Sequence, residues 1–251
     1  MLTDPYRASL DALTSLGPLR VWSVLVTVFG DLAPDRPIVG PALTALMSEI
    51  GIKPEATRVA LHRLRGDGWI ISQKVGRHSQ HALSPAARAD SAEAWHKIYG
   101  QTPNANELVL ILLPPKSKSP DPAQFARVGP RLYAASRSVP MPADAMMLNS
   151  GDVPSWLGIE VETAALQKSY TDLLSVLRDV ESLPPELTKD PLARAALRVL
   201  IVHNWRRLAL KHALLPREAH SADWAGHDAR DLVISMLARL KRASPDDLNP
   251  R

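Results

Sequence analysis

The stretch from Gly51 to Ser84, GIKPEATRVALHRLRGDGWIISQKVGRHSQHALS, constrains this chain more than any other. It opens on Lys53-Pro54-Glu55, a helix start with proline in the tolerated first turn, and Gly66-Asp67-Gly68 interrupts it. At about 100 degrees per residue, Thr57, Ala60, Leu61 and Leu64 share one face, while Glu55, Arg58, His62 and Arg65 gather on the opposite one. Beyond the break, Trp69-Ile70-Ile71 and Gln80 to Leu83 are strand-like runs on either side of a Val75-Gly76-Arg77-His78 tip. Strands this short need helices beneath them to be stable.

Those helices are predicted just upstream. Leu19 to Phe29 is apolar on most sides and too long for an ordinary strand, which predicts a buried helix stopped by Gly30-Asp31. From Pro41 to Ile50, Leu43, Leu46, Met47 and Ile50 recur at steps of three and four, giving a second helix that Gly51 ends. Three helices followed by a hairpin is the order of parts in a winged helix-turn-helix. Residues 1–18 stop at Gly17-Pro18 and predict no more than a short helical or loose arm.

Charge points the same way. Lys53, Arg58, Arg63, Arg65, Lys74, Arg77 and Arg88 face only Glu55 and Asp67 between residues 53 and 88, a local excess of +5 in a chain whose net charge is +4. The basic character that suits a polyanion is therefore concentrated here. Arg58 is the candidate for a guanine edge, with His62 reading a base or touching phosphate. Lys53, Arg63 and Arg65, with Lys74, Arg77 and His78 at the hairpin tip, suit the phosphate backbone of double-stranded DNA. A run of arginines by itself is usually a solvated helix face; the helical context, the hairpin and the charge excess favour the DNA reading.

Composition excludes several other chemistries. The chain has no cysteine, so disulfides, thiolate metal sites and cysteine nucleophiles are ruled out. The longest apolar runs are too short to cross a bilayer and no leader pattern is seen, so a cytoplasmic protein with no membrane partner is expected. His78 with His81, and His203 with His212, lack the acids and spacing of a metal site. Ser79 beside His78 and His81 lacks a nucleophile-elbow motif. No phosphate-binding glycine loop occurs, and neither a cofactor nor enzymatic activity is expected. Trp205 and Trp224 fit a core and an apolar ligand pocket equally.

Pro85 to Tyr99 returns to helical spacing, and Gly100 to Asn104 has the composition of a linker. Glu107 to Leu113, ELVLILL, predicts a central strand covered on both faces. Pro122 to Val128 is read as a helix, Arg131 to Ser136 and Ala143 to Leu148 as strands, Pro154 to Leu157 as a helix and Ile159 to Glu162 as extended. That order is ferredoxin-like. From Ala164 the pattern is helical, over Tyr170 to Val180, Pro191 to Ala213 and Arg230 to Leu240, with residues 244–251 frayed. The expected fold class is α+β, with a winged helix-turn-helix at 1–100, a ferredoxin-like middle domain at 105–163 and a helical C-terminal domain at 164–243.

Several blocks give the chain a family likeness. They are Val26-Thr27-Val28-Phe29-Gly30-Asp31, the Arg58 to Leu64 helix leading into Asp67-Gly68-Trp69, Val75-Gly76-Arg77, Leu83-Ser84-Pro85 and Ile98-Tyr99-Gly100. Farther on stand His203-Asn204-Trp205-Arg206-Arg207, Leu215-Pro216 and Asp223-Trp224-Ala225-Gly226. Together they resemble the PaaX family of bacterial repressors of phenylacetic acid degradation. Asn204 stands where an acid is expected and Ala225 where proline is. The resemblance implies the three domains above, a homodimer, and release of DNA by an aryl-CoA thioester. It marks His203, Trp205, Arg206, Arg207 and Trp224 as ligand-binding candidates.

Two other readings compete. A ferredoxin-like middle domain is also a scaffold for a metal-dependent nuclease, but Pro114-Pro115-Lys116 follows the first strand where an acid would be needed. A winged helix used only for protein contacts predicts no salt-dependent binding to any duplex.

Overall fold

Asp4 begins the first helix by accepting the N–H of Tyr6 at 3.0 Å, with Pro5 in the first turn. The computed structural model describes residues 4–148 and 153–248. In it α1 (Pro5–Ser15) buries Tyr6, Leu10 and Leu13, so of the two forms expected for this arm, short helical or loose, it takes the helical one and is packed. Next, α2 (Val21–Leu32) is apolar nearly all round and correspondingly buried from Val24 to Phe29. A two-residue strand not anticipated from the sequence, β1 (Ile38–Val39), leads into α3 (Gly40–Glu49), which buries Ala42, Leu43, Leu46 and Met47.

The predicted two-faced helix is α4 (Pro54–Gly66), with Thr57, Ala60, Leu61 and Leu64 buried. It ends where Gly68 takes φ +76 and the Trp69 N–H bonds back to the Leu64 carbonyl at 2.9 Å. The hairpin is longer than the sequence runs suggested: β2 (Ile70–Val75) pairs antiparallel with β3 (His78–Leu83) from Ile70↔Leu83 to Val75↔His78. β1 pairs with the other edge of β3, giving the order β1-β3-β2. The Ser84 hydroxyl then accepts the Ala87 N–H at 3.2 Å and starts α5 (Pro85–Tyr99).

A second sheet follows, built on β4 (Leu108–Leu112), with β5 (Ala126–Arg127), β6 (Leu132–Ser136) and β7 (Met146–Leu148) in the order β5-β6-β4-β7, every neighbour antiparallel. As its unbroken apolar run predicts, β4 feeds two clusters. Leu108 joins Val128, Ala134 and Leu157, while Val109 and Ile111 join Phe125 and Tyr133.

Two expected elements are replaced, and with them the ferredoxin-like alternation of strands and helices. Pro122–Val128 is a turn and β5 rather than a helix. Asp121 accepts the Ala123 N–H at its carboxylate and the Gln124 and Phe125 N–H groups at its carbonyl, and Gly129-Pro130 ends the segment. Ile159–Val161 is not extended but lies within α6 (Trp156–Val161). The apolar–acidic alternation that suggested a strand leaves Ile159 74% exposed while Leu157 is buried.

The remaining helices are α7 (Ala164–Glu181), α8 (Pro191–Ala209) and α9 (Ala225–Arg239). The chain groups into two compact units, Met1–Trp95 with Ser175–Trp205 and Leu232–Arg251, and His96–Leu174 with Arg206–Asp231. The last third of the chain contributes to both units. Within the first unit α8 is buried from Ala195 to Val202, and its Arg198 pairs with Asp31 at the end of α2. Residues expected to be frayed are packed as far as Leu248, which is buried in a short turn beside α3. Among the described residues no helix is long and apolar enough to cross a membrane.

Candidate nucleic-acid interface

Burying Leu61 and Leu64 turns Arg58, His62 and Arg65 of α4 outward. The hairpin brings a second set toward them. Gly76, at φ +60, permits the two-residue turn between Val75 and His78, which presents Arg77 and His78 at the tip. Between α4, the start of α3 and the hairpin lies an open groove of about 430 Å³, lined by Arg58, His62, Arg65, Arg77 and His78 together with Ser72, Ser79 and His81. Five of the eight predicted DNA-contact residues thus share one concavity.

The other three are exposed but do not line it. Lys53 is the residue before the first turn of α4, Lys74 lies opposite Ser79 on β2, and Arg63 occupies the far flank of α4, 3.5 Å from Asp67. Arg58 is held 3.3 Å from Glu55, one turn back on the same helix. Both are well exposed, so this pair orients the guanidinium more than it stabilises the fold.

His81 was not among the predicted contacts. Its Nδ1 lies 2.9 Å from the Ser72 hydroxyl, and burial, aided by the Arg65 cation, lowers its pKa from the ordinary histidine value. The signal was in the hairpin: with Gly76-Arg77 as the turn, Ser72 and His81 fall directly opposite each other. Val59, 70% exposed on α4, also escaped the helical reading.

The ligand-binding candidates are divided between the units. His203 and Trp205 are buried in the first, with His203 Nδ1 3.4 Å from the Thr27 hydroxyl. Arg206, Arg207 and Trp224 belong to the second. There Trp224 stacks on His220, ring centroids 5.0 Å apart, and meets the edge of Tyr170 at 5.3 Å. Among the described residues no group of three or more His, Cys, Asp or Glu side chains is placed to hold a metal ion, so the nuclease reading finds no support there.

Comparison with known proteins covers both ends of the chain. Residues 20–87 match the family model described as PaaX-like protein, and residues 162–249 match that of the PaaX-like protein C-terminal domain. Transcriptional repressor PaaX of Escherichia coli (strain K12) is 26% identical over 265 residues, spanning 90% of this chain and 82% of the repressor. The solved structure of the uncharacterized protein Rv0674 from Mycobacterium tuberculosis matches with a TM-score of 0.56 at 20% identity, covering 87% of this chain and 96% of that one, a likeness of fold. With two family models that together span more than half of its length, and a relative aligned over nearly all of it, the chain belongs to the PaaX-like family.

Proposed function

We propose that this protein is a DNA-binding transcriptional repressor whose reading head is a winged helix-turn-helix, with α2 and α3 as support, α4 as the recognition helix and the β2–β3 hairpin as the wing. The observation that carries the reading is the groove in which Arg58, His62 and Arg65 of the helix meet Arg77 and His78 of the hairpin tip. Arg58 and His62 offer donors suited to base edges, while Arg65 and the hairpin tip suit the adjacent phosphates. The likeness to an E. coli protein named a transcriptional repressor supports the same role.

In this reading the protein acts in the cytoplasm as a homodimer, placing two α4 helices on half-sites about 34 to 36 Å apart or a multiple of that spacing. Its genes are those of aromatic-compound, phenylacetate-type catabolism, and an aryl-CoA thioester relieves repression by binding a dimer geometry that no longer fits the half-sites. The protein itself catalyses nothing.

The test is to select a binding duplex from genomic DNA and titrate it at several salt concentrations with wild type, Arg58→Ala and Arg77→Ala. Arg58→Ala should lose discrimination at one base pair. Arg77→Ala should weaken all duplexes alike and lower the salt slope by about one. If both variants bind as wild type does, the reading head is misassigned. A panel of acyl-CoA thioesters added to the complex tests the effector.

A further inference from the structure

Val59 is an anomaly on α4. It is 70% exposed, yet a β-branched apolar residue in mid-helix sacrifices helix propensity and gains no burial in return. Glu55 lies four residues before it and His62 three after, so the three share one stripe along the outer crest of the helix. The next position of that stripe is Gly66, which has open space around it. Cations flank the crest on both sides, Arg58 and Arg65 toward the groove and Arg63 on the other.

This pattern differs from that of a helix lying on the phosphate backbone. A carboxylate on the crest, Glu55, would be repelled by phosphates, whereas Arg63 and Arg65 on the flanks would be attracted to them. The crest, with Arg58 at its edge, therefore suits the floor of the major groove, and Arg63 and Arg65 suit its walls. On that floor the apolar feature is the C5 methyl of thymine. We infer that Val59 is a specificity-determining residue that packs against the C5 methyl of a thymine in each half-site, beside the base edge met by Arg58. This rests on the DNA-binding reading proposed above.

The experiment replaces each thymine of the selected duplex singly by deoxyuracil, which removes only the methyl group, and measures affinity for wild type, Val59→Ala and Val59→Thr. For wild type, one position per half-site should bind about fourfold more weakly as uracil, the loss expected for one buried methyl. Val59→Ala should bind the thymine duplex more weakly and be indifferent to uracil at that position, while Val59→Thr, which keeps a methyl, should retain the sensitivity. The inference is overturned if no thymine is sensitive in wild type, or if Val59→Ala keeps the same sensitivity at every position. Should wild type select no duplex at all, the DNA-binding reading fails first and takes this one with it. Duplex binding that Arg58→Ala weakens but no uracil affects sinks the methyl contact alone.

Discussion

Arg198 grips Asp31 through two hydrogen bonds, Nε to Oδ2 at 2.6 Å and Nη2 to Oδ1 at 2.8 Å, with side-chain exposures of 6% and 0%. Its Nη1 also donates to the carbonyls of Leu237 and Leu240, so one guanidinium on α8 joins the end of α2 to the end of α9 within the first unit. Arg242 approaches the same carboxylate at 3.4 Å. Asp31 closes the Val26 to Asp31 block, and its place in the fold is that of an anchor beneath the proposed reading head rather than a contact on it. Asp31→Ala leaves the Arg198 charge buried without its counterion and should cost about 3 to 5 kcal/mol in urea unfolding. A loss below about 1 kcal/mol would mean that the pair contributes little beyond its own desolvation.

Asn204 is the counterpart lock on α1. It is 3% exposed, and its Nδ2 donates to the carbonyls of Leu13 at 2.9 Å and Leu200 at 3.0 Å. The family resemblance leads one to expect an acid at this position, but here two acceptors converge on the side chain and an amide fits them. Asn204→Asp would set a carboxylate oxygen against two carbonyl oxygens in a buried site. We expect a loss of about 3 kcal/mol at neutral pH, partly recovered under acidic conditions as the carboxyl protonates. Equal stability of the two proteins at neutral pH would contradict this geometry.

What was legible in the sequence was whatever a local period or a turn encodes. The two faces of α4 follow from spacing alone, and the hairpin from Gly76 between two β-rich runs. The packing of α1 was not legible, because its partner Asn204 lies about 190 residues away and nothing in residues 1–18 announces it. The same limit applies to α8 as far as Trp205, whose place in the first unit goes with the Asp31–Arg198 pair and the burial of Ala195 to Val202. At the candidate site the cations were readable from charge. Val59 was not, since reading apolar residues as core assigns a lone exposed valine no role. α6 failed for another reason: Gly158-Ile159-Glu160-Val161 fits two periods over so short a span, and burial of Leu157 decides for the helix.

Gly158 provides a test of that helix. A Cβ at this position would lie 2.6 Å from the Ser221 backbone nitrogen and 3.0 Å from the His220 carbonyl carbon. Alanine in place of glycine ordinarily gains about 1 kcal/mol in a helix. Here the obstacle is backbone that cannot rotate away, and overpacking costs about 1 to 3 kcal/mol on top of the forfeited gain. Gly158→Ala should therefore lower the urea midpoint. A rise would show that the segment from His220 to Ser221 yields easily.

Acid should destabilise the second unit through His220. Its Nδ1 lies 3.1 Å from a Glu162 oxygen that also accepts the Ser221 N–H at 2.7 Å, while one face stacks on Trp224 and an edge meets His227. Burial first, then the neighbouring His227 and His212, push its pKa down to about 3. Glu162 favours the cation by its charge, but it is already served by the N–H of the neutral ring, and burial prevails. Because the folded value lies below the ordinary one of about 6.5, the unfolded chain takes up the proton first. Stability from this group is complete above about pH 6.5 and declines from there toward about pH 3. His212 and His227, also lowered by burial, act in the same direction. Between about pH 7 and pH 5, wild type should lose about 2 kcal/mol more than His220→Phe, which keeps a ring on Trp224 but cannot titrate. Parallel urea midpoints for the two proteins across that range would show that His220 takes up its proton in the fold, with Glu162 as its counterion.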